Sequence, residues 1–221
     1  MTTTEENPAA LTSELEVLTG EYEIDAANTR LGFTARYAMV ADVHGWFGEF
    51  SGRISLEGHD LARSRVAMRI LTDSLDSGQA QRDAHLRSSD FLDVDTYPEM
   101  LFKSTTVEVA GPGLWCVVGE LTICAVTRPF SLNLTLIGSA TGPDGRALVG
   151  FRGTGSLSRT EFGLRWNKVL ETGGVLVGDE VDLCLDVTLT KTQPSVTVAP
   201  SAPAGSRGRS RWWRRTRGSQ A

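Results

Sequence analysis

The feature that most restricts this chain is a period of two in its apolar residues, sustained from Leu31 to Leu189. Leu31, Phe33, Ala35, Tyr37 and Met39 alternate with Gly32, Thr34 and Arg36. Trp46, Gly48, Phe50, Gly52, Ile54 and Leu56 share one parity against Glu49, Ser51, Arg53 and Ser55. The pattern returns at Val66, Met68 and Ile70, at Met100 and Phe102, at Phe130 to Leu136, and at Val181 to Leu189. Successive side chains of a strand point to opposite faces, so each run reads as a strand with one buried and one wet face. Segment 114–126 is apolar on both parities and is expected to be covered on both sides. Gly111-Pro112-Gly113, Gly142-Pro143-Asp144-Gly145 and Gly173-Gly174 punctuate the runs as turns. Such a chain closes most simply into an antiparallel barrel of about eight strands, which has no free edge. Glycines at the inward parities Gly48, Gly52, Gly153 and Gly155 suit strongly bent strands. The period fails over Ser77–Leu86, where Ser77 is placed to cap a short helix and Ser89 to Leu92 to make a further turn. A helical insertion is therefore expected near 78–93.

The two ends of the chain differ from this body. Residues 1–18 are polar and acidic, and residues 192–221 pass from Pro, Ser and Ala into arginine. Neither has the apolar periodicity that a core needs, so both are expected to be disordered around a single domain at 20–190. The chain has 27 acidic and 22 basic residues. Seven of the basic ones (Lys191, Arg207, Arg209, Arg211, Arg214, Arg215 and Arg217) lie beyond residue 190, where there is no acid. Residues 1–190 are left with 15 basic and 27 acidic residues, a net charge of −12. A cationic tail carrying Trp212-Trp213 suits peripheral contact with an anionic membrane through Arg207–Arg217; nucleic acid is the weaker rival. The first 20 residues have no Lys or Arg and no apolar core, so no export signal is read and a cytoplasmic protein, monomer or homodimer, is expected. Cys116, Cys124 and Cys184, an odd number without metal-type spacing, read as buried reduced thiols. His44, His59 and His85 are scattered, so neither a metal site nor a cofactor is expected. No phosphate loop or nucleophile elbow is present, and no catalytic residue is assigned.

Five blocks in order carry a resemblance. They are Ser74-Leu75-Asp76-Ser77-Gly78 with Arg82-Asp83-Ala84-His85-Leu86-Arg87-Ser88-Ser89-Asp90-Phe91-Leu92; Tyr97-Pro98-Glu99-Met100-Leu101-Phe102-Lys103-Ser104-Thr105; Gly119-Glu120-Leu121-Thr122-Ile123; Val126-Thr127-Arg128-Pro129; and Ser158-Arg159-Thr160-Glu161-Phe162-Gly163-Leu164. In these the chain resembles the YceI-like lipid- and polyisoprenoid-binding proteins over about residues 21–190. It departs from their pattern where Asn28 and Tyr37 stand in place of histidine, and at Cys124-Ala125, near which a glycine is usual.

The resemblance implies an all-β, eight-stranded lipocalin-like barrel. It also implies a non-enzymatic carrier or sequestering protein for a long amphiphile: a polyprenyl quinone, a polyprenyl phosphate or a fatty-acid amide. The inward residues Phe33, Tyr37, Trp46, Phe50, Met68, Leu132, Leu134 and Phe151 are the expected lining; the same side chains equally suit a filled barrel. Arg82 and His85, three apart on a helix, share a face and suit a phosphate or carbonyl head group at the mouth. The alternative is that Arg82 and Asp83 anchor the insertion to the wall through Arg159 or Glu161. Two other functions remain open. One is a stress-associated interaction protein with a filled barrel. The other is an enzyme acting on isoprenoids, for which Asp179 and Glu120 are the inward polar candidates.

Overall fold

The computed structural model describes residues 18–192, except His59, Pro112 and Thr172. The expectations for 1–17 and for the Arg/Trp tail lie outside the described residues. Strands β1 (Gly20–Ile24), β2 (Arg30–Tyr37), β3 (Ala41–Phe47), β4 (Phe50–Leu56), β5 (Arg65–Leu71) and β6 (Leu75–Asp76) come first. Helix α1 (Ala80–Arg87) follows. Five longer strands complete the chain: β7 (Glu99–Gly111), β8 (Leu114–Ile123), β9 (Val126–Thr141), β10 (Ala147–Ser158) and β11 (Val177–Lys191).

All pairings are antiparallel, and β11 closes the ring by pairing with β10, with β2 and, near its end, with β1. The six short strands are three strands broken in two. β1 and β2 are interrupted by a 3-10 turn at Ala26–Asn28, β3 and β4 at Gly48-Glu49, and β5 and β6 by a 3-10 turn at Thr72–Ser74. Counted so, the barrel has eight strands, as the alternation predicts. The breaks lie in neighbouring strands, and two of them are bonded together: Gly48 N donates to Ser74 O at 3.0 Å and Leu71 N to Glu49 O at 2.9 Å. Beyond this level β6 pairs with β3 but not with β7. Helix α1 and the turns after it fill the gap.

The lower half is the more closely packed, around one small void of about 60 Å³. Tyr22, Ile54, Leu56, Val107, Val117, Val149 and Leu189 are buried there, with the Trp115 and Phe151 rings 5.0 Å apart. Leu18 is buried in the same core and its carbonyl accepts a 2.7 Å bond from the Tyr22 hydroxyl.

Three local expectations are corrected. Ser77 is not the helix cap; Gln79 holds that position without a side-chain bond. β8 alternates in burial, with Trp115, Val117, Leu121 and Ile123 inward, Cys116 and Val118 half-buried and Glu120 exposed. Its outer row is thus not covered as its inner row is. Cys184 is exposed on β11, whereas Cys116 and Cys124 are partly buried.

Gly119 shows how tightly β7 and β8 are stacked. A Cβ there would lie 2.4 Å from Lys103 O and 2.8 Å from the Phe102 ring. Backbone cannot yield as a side-chain tip can, so Gly119→Ala is expected to destabilise the fold by about 1–3 kcal/mol. Urea denaturation checks this, and an unchanged midpoint refutes it.

Candidate functional site

The upper half of the barrel is hollow. A cavity of about 190 Å³ lies between the sheet and the underside of α1. Phe33, Met68, Ile70, Phe102, Phe130, Leu132, Leu157 and Leu183 line its wall, and Leu86, Phe91 and Leu92 form its roof. A smaller void of about 60 Å³ lies below, separated by Met68, Phe102, Leu132 and Leu185, and is lined by Leu134 and Phe151 among others.

Above, the cavity meets a vestibule of about 550 Å³, with Phe33, Ala35, Leu86, Phe91 and Val177 common to both. The vestibule's remaining wall is amphiphilic: Tyr37, Trp166 and Leu176 stand beside Arg36, Gln79, Gln81, Arg82 and His85.

Parity places Phe33, Met68, Leu132, Leu134 and Phe151 inward, and there they are, although divided between two chambers. Tyr37, Arg82 and His85 line the vestibule. Phe50 packs against the core but borders a separate surface cleft with Ala26 and Gly48. Trp46 is on the outer face, under the Arg30 guanidinium at 4.8 Å, while Phe47 takes the inward place. The break at Gly48-Glu49 resets the alternation between Phe47 and Phe50, so a parity carried across it assigns Trp46 to the wrong side. Asp179 and Glu120 are exposed and do not line either chamber.

The Arg82-Asp83 pair anchors α1, though not through Arg159 or Glu161. Arg82 Nε donates to Ser77 Oγ at 2.7 Å, and that hydroxyl donates to buried Asp83 Oδ1 at 2.5 Å. Arg82 Nη2 also donates to Ser77 O at 2.6 Å. His85 bonds Asp90 Oδ2 through Nε2 at 2.9 Å. Its ring meets Trp166 edge-on at 4.5 Å and Phe91 at 5.1 Å. These rings stand where the vestibule narrows into the cavity.

Among the described residues, Arg159 is the one charged side chain lining the inner cavity. It is 4% exposed and its guanidinium is held by backbone carbonyls. Nε donates to Gly178 O at 2.8 Å, Nη1 to Leu164 O and to Trp166 O at 3.0 Å, and Nη2 to Val177 O at 3.3 Å. Desolvation pulls its pKa down, and nearby Asp179 partly opposes this. Burial likewise pushes the Cys124 thiol up, with Asp93 adding to it, so this thiol resists ionisation.

A closed antiparallel barrel, closely packed below and hollow above, with an apolar chamber under a polar-edged mouth, defines a lipocalin-like calyx. The chain belongs to the YceI-like family: the model of the YceI-like domain matches residues 22–189. A UPF0312 protein of Vibrio parahaemolyticus is 36% identical over 69% of this chain and 82% of its own length. One from Shewanella baltica is 31% identical over 80% and 92%. Among solved structures, Burkholderia cenocepacia BcnA superposes with a TM-score of 0.66 at 22% identity, covering 75% of this chain and 98% of its own. A polyisoprenoid binding domain from Saccharophagus degradans gives 0.56 at 17% identity, covering 77% and 98%.

Proposed function

We propose that this protein binds a long amphiphile, a polyprenyl quinone, a polyprenyl phosphate or a fatty-acid amide, and carries or sequesters it in the barrel. The carrying observation is the continuity of an almost wholly apolar cavity with a vestibule edged by Arg36, Arg82 and His85. An apolar void on the order of 150 Å³ already accepts an aromatic ring and excludes water. The chain of the ligand gains about 25 cal/mol per Å² buried, while its head group stays among cations and amides at the mouth. The Saccharophagus degradans neighbour, described as a polyisoprenoid binding domain, supports the same class of ligand.

The lining supports binding rather than chemistry. Arg159 is the charged group among the described lining residues, and four of its five N–H donors are committed to the backbone. A prenyl chain lying there meets hydrocarbon.

The test is mass spectrometry of an organic extract of the full-length protein purified from its own host, beside a denatured blank. One stoichiometric isoprenoid or acyl species is expected. An empty extract, with no uptake of added prenyl quinone or prenyl phosphate, overturns the proposal in favour of a filled-barrel interaction protein.

A further inference from the structure

Two loops at the mouth expose apolar side chains that the fold does not use. In the β2–β3 turn Val40 is 82% and Met39 64% exposed, with Tyr37 beside them; in the segment between Arg165 and Leu176, Val169 is 78% exposed, and Val175 pairs with it across a β-bridge. The loops are joined. Ala38 N donates to Leu176 O at 2.7 Å, and Met39 lies so close on Gly174 that a Cβ there would be 2.5 Å from its sulfur. Together they make one apolar ridge, and Tyr37, Trp166 and Leu176 continue it down into the vestibule.

The turn is also strained. Val40 N bonds Tyr37 O at 3.1 Å, and both residues between them have positive φ, 49° at Ala38 and 62° at Met39. Asn-Gly adopts such a turn without strain. Methionine there worsens folding and exposes a hydrophobe to water as well, so neither stability nor solubility accounts for it.

Charge identifies what covers the ridge. Arg36, Arg165 and Lys168 flank it and Arg82 stands inside it, against Asp42, which is paired to Arg36 at 3.2 Å, Glu171, Asp90 on His85 at 2.9 Å, and Asp179 beside Gly178, so the charges at the mouth nearly balance. Residues 18–190 as a whole are acidic: leaving aside Glu5, Glu6, Glu14 and Glu16, the 27 acids become 23, against 15 basic residues. An anionic bilayer therefore repels most of this surface and tolerates the mouth, and short apolar tips among cations fit the headgroup–acyl boundary. We infer that the protein docks mouth-down on an anionic lipid bilayer, with Met39, Val40 and Val169 entering the interface. The vestibule then opens onto the leaflet, and an amphiphile passes between bilayer and cavity without crossing water. This rests on the ligand reading for its purpose, though not for its geometry.

The experiment sediments the full chain with vesicles of phosphatidylglycerol and phosphatidylethanolamine in equal parts. The paired variant V40D/V169D alters exposed tips, so its fold is expected to persist, which circular dichroism checks. The bound fraction is expected to fall about tenfold or more, because two apolar anchors become charges. A second variant with Arg211, Arg214 and Arg215 changed to glutamine tests the tail. Equal sedimentation of wild type and V40D/V169D, or a loss confined to the tail variant, overturns the inference. Absence of wild-type binding to these vesicles overturns it too. The two readings fail separately: an empty organic extract sinks the ligand assignment and leaves rim-dependent sedimentation intact.

Discussion

Replacing Arg159 with leucine is expected to cost on the order of 3–5 kcal/mol, among the largest single-residue losses this fold can show. The guanidinium is a four-way clamp. It joins Gly178 and Val177 at the start of β11 to Leu164 and Trp166 in the irregular segment after the Arg159–Phe162 turn. Leucine fills part of the volume but takes the arginine donor from the Gly178, Leu164 and Trp166 carbonyls beside an apolar cavity, while Val177 O keeps its 2.7 Å bond from Asn167 Nδ2. Each buried unsatisfied group costs about 1–3 kcal/mol, and water reaching them through the mouth returns part of that. Lysine restores the charge without the planar fork, so Arg159→Lys should recover only a fraction. Urea unfolding of both variants measures this, with a loss below about 1 kcal/mol for leucine contradicting it. The same clamp positions Trp166, so the leucine variant should also loosen the ring contacts at His85 and Phe91.

Arg159 also marks where sequence reading stops. Within an unbroken strand, alternation is enough: Met68 opposite Phe102, and Leu134 opposite Gly153, place the inward face without further information. Trp46-Phe47 defeats it, because two adjacent aromatics fit either parity, and the break that decides between them depends on Ser74 and Leu71 of a different strand. Helix α1 is visible as a lapse in the period, and Arg82 and Asp83 as its anchoring pair, but their partner is not. Ser77 resembles a cap by type, yet its hydroxyl relays between Arg82 and Asp83 instead. Trp166 lies in a stretch with no period at all, so only the folded chain shows that it closes the mouth beside His85. The sequence offers Arg159 only as a candidate partner for Arg82 and Asp83 on the barrel wall. That it turns inward is settled by carbonyls up to 19 residues away.

Leu183→Trp is expected to reduce prenyl-ligand binding about tenfold or more while moving the unfolding midpoint little. Leu183 is partly buried and faces the cavity of about 190 Å³, so the indole enters space that the native chain leaves unfilled. Leu134→Trp is the control. Its side chain borders the void of about 60 Å³ and packs on the lower core, where added volume forces strain of about 1–3 kcal/mol. The two substitutions add the same atoms at sites that differ in free volume alone. A carrier predicts opposite outcomes: binding lost and stability kept at 183, stability lost first at 134. A filled barrel predicts that both destabilise alike, because hydrocarbon packed to native density has no room for an indole at either level. Titration with a fluorescent prenyl analogue, followed by thermal unfolding of the same samples, reads both quantities. Unchanged affinity at 183 would move the ligand out of the barrel altogether, since no chain long enough to fill the calyx can share it with that ring.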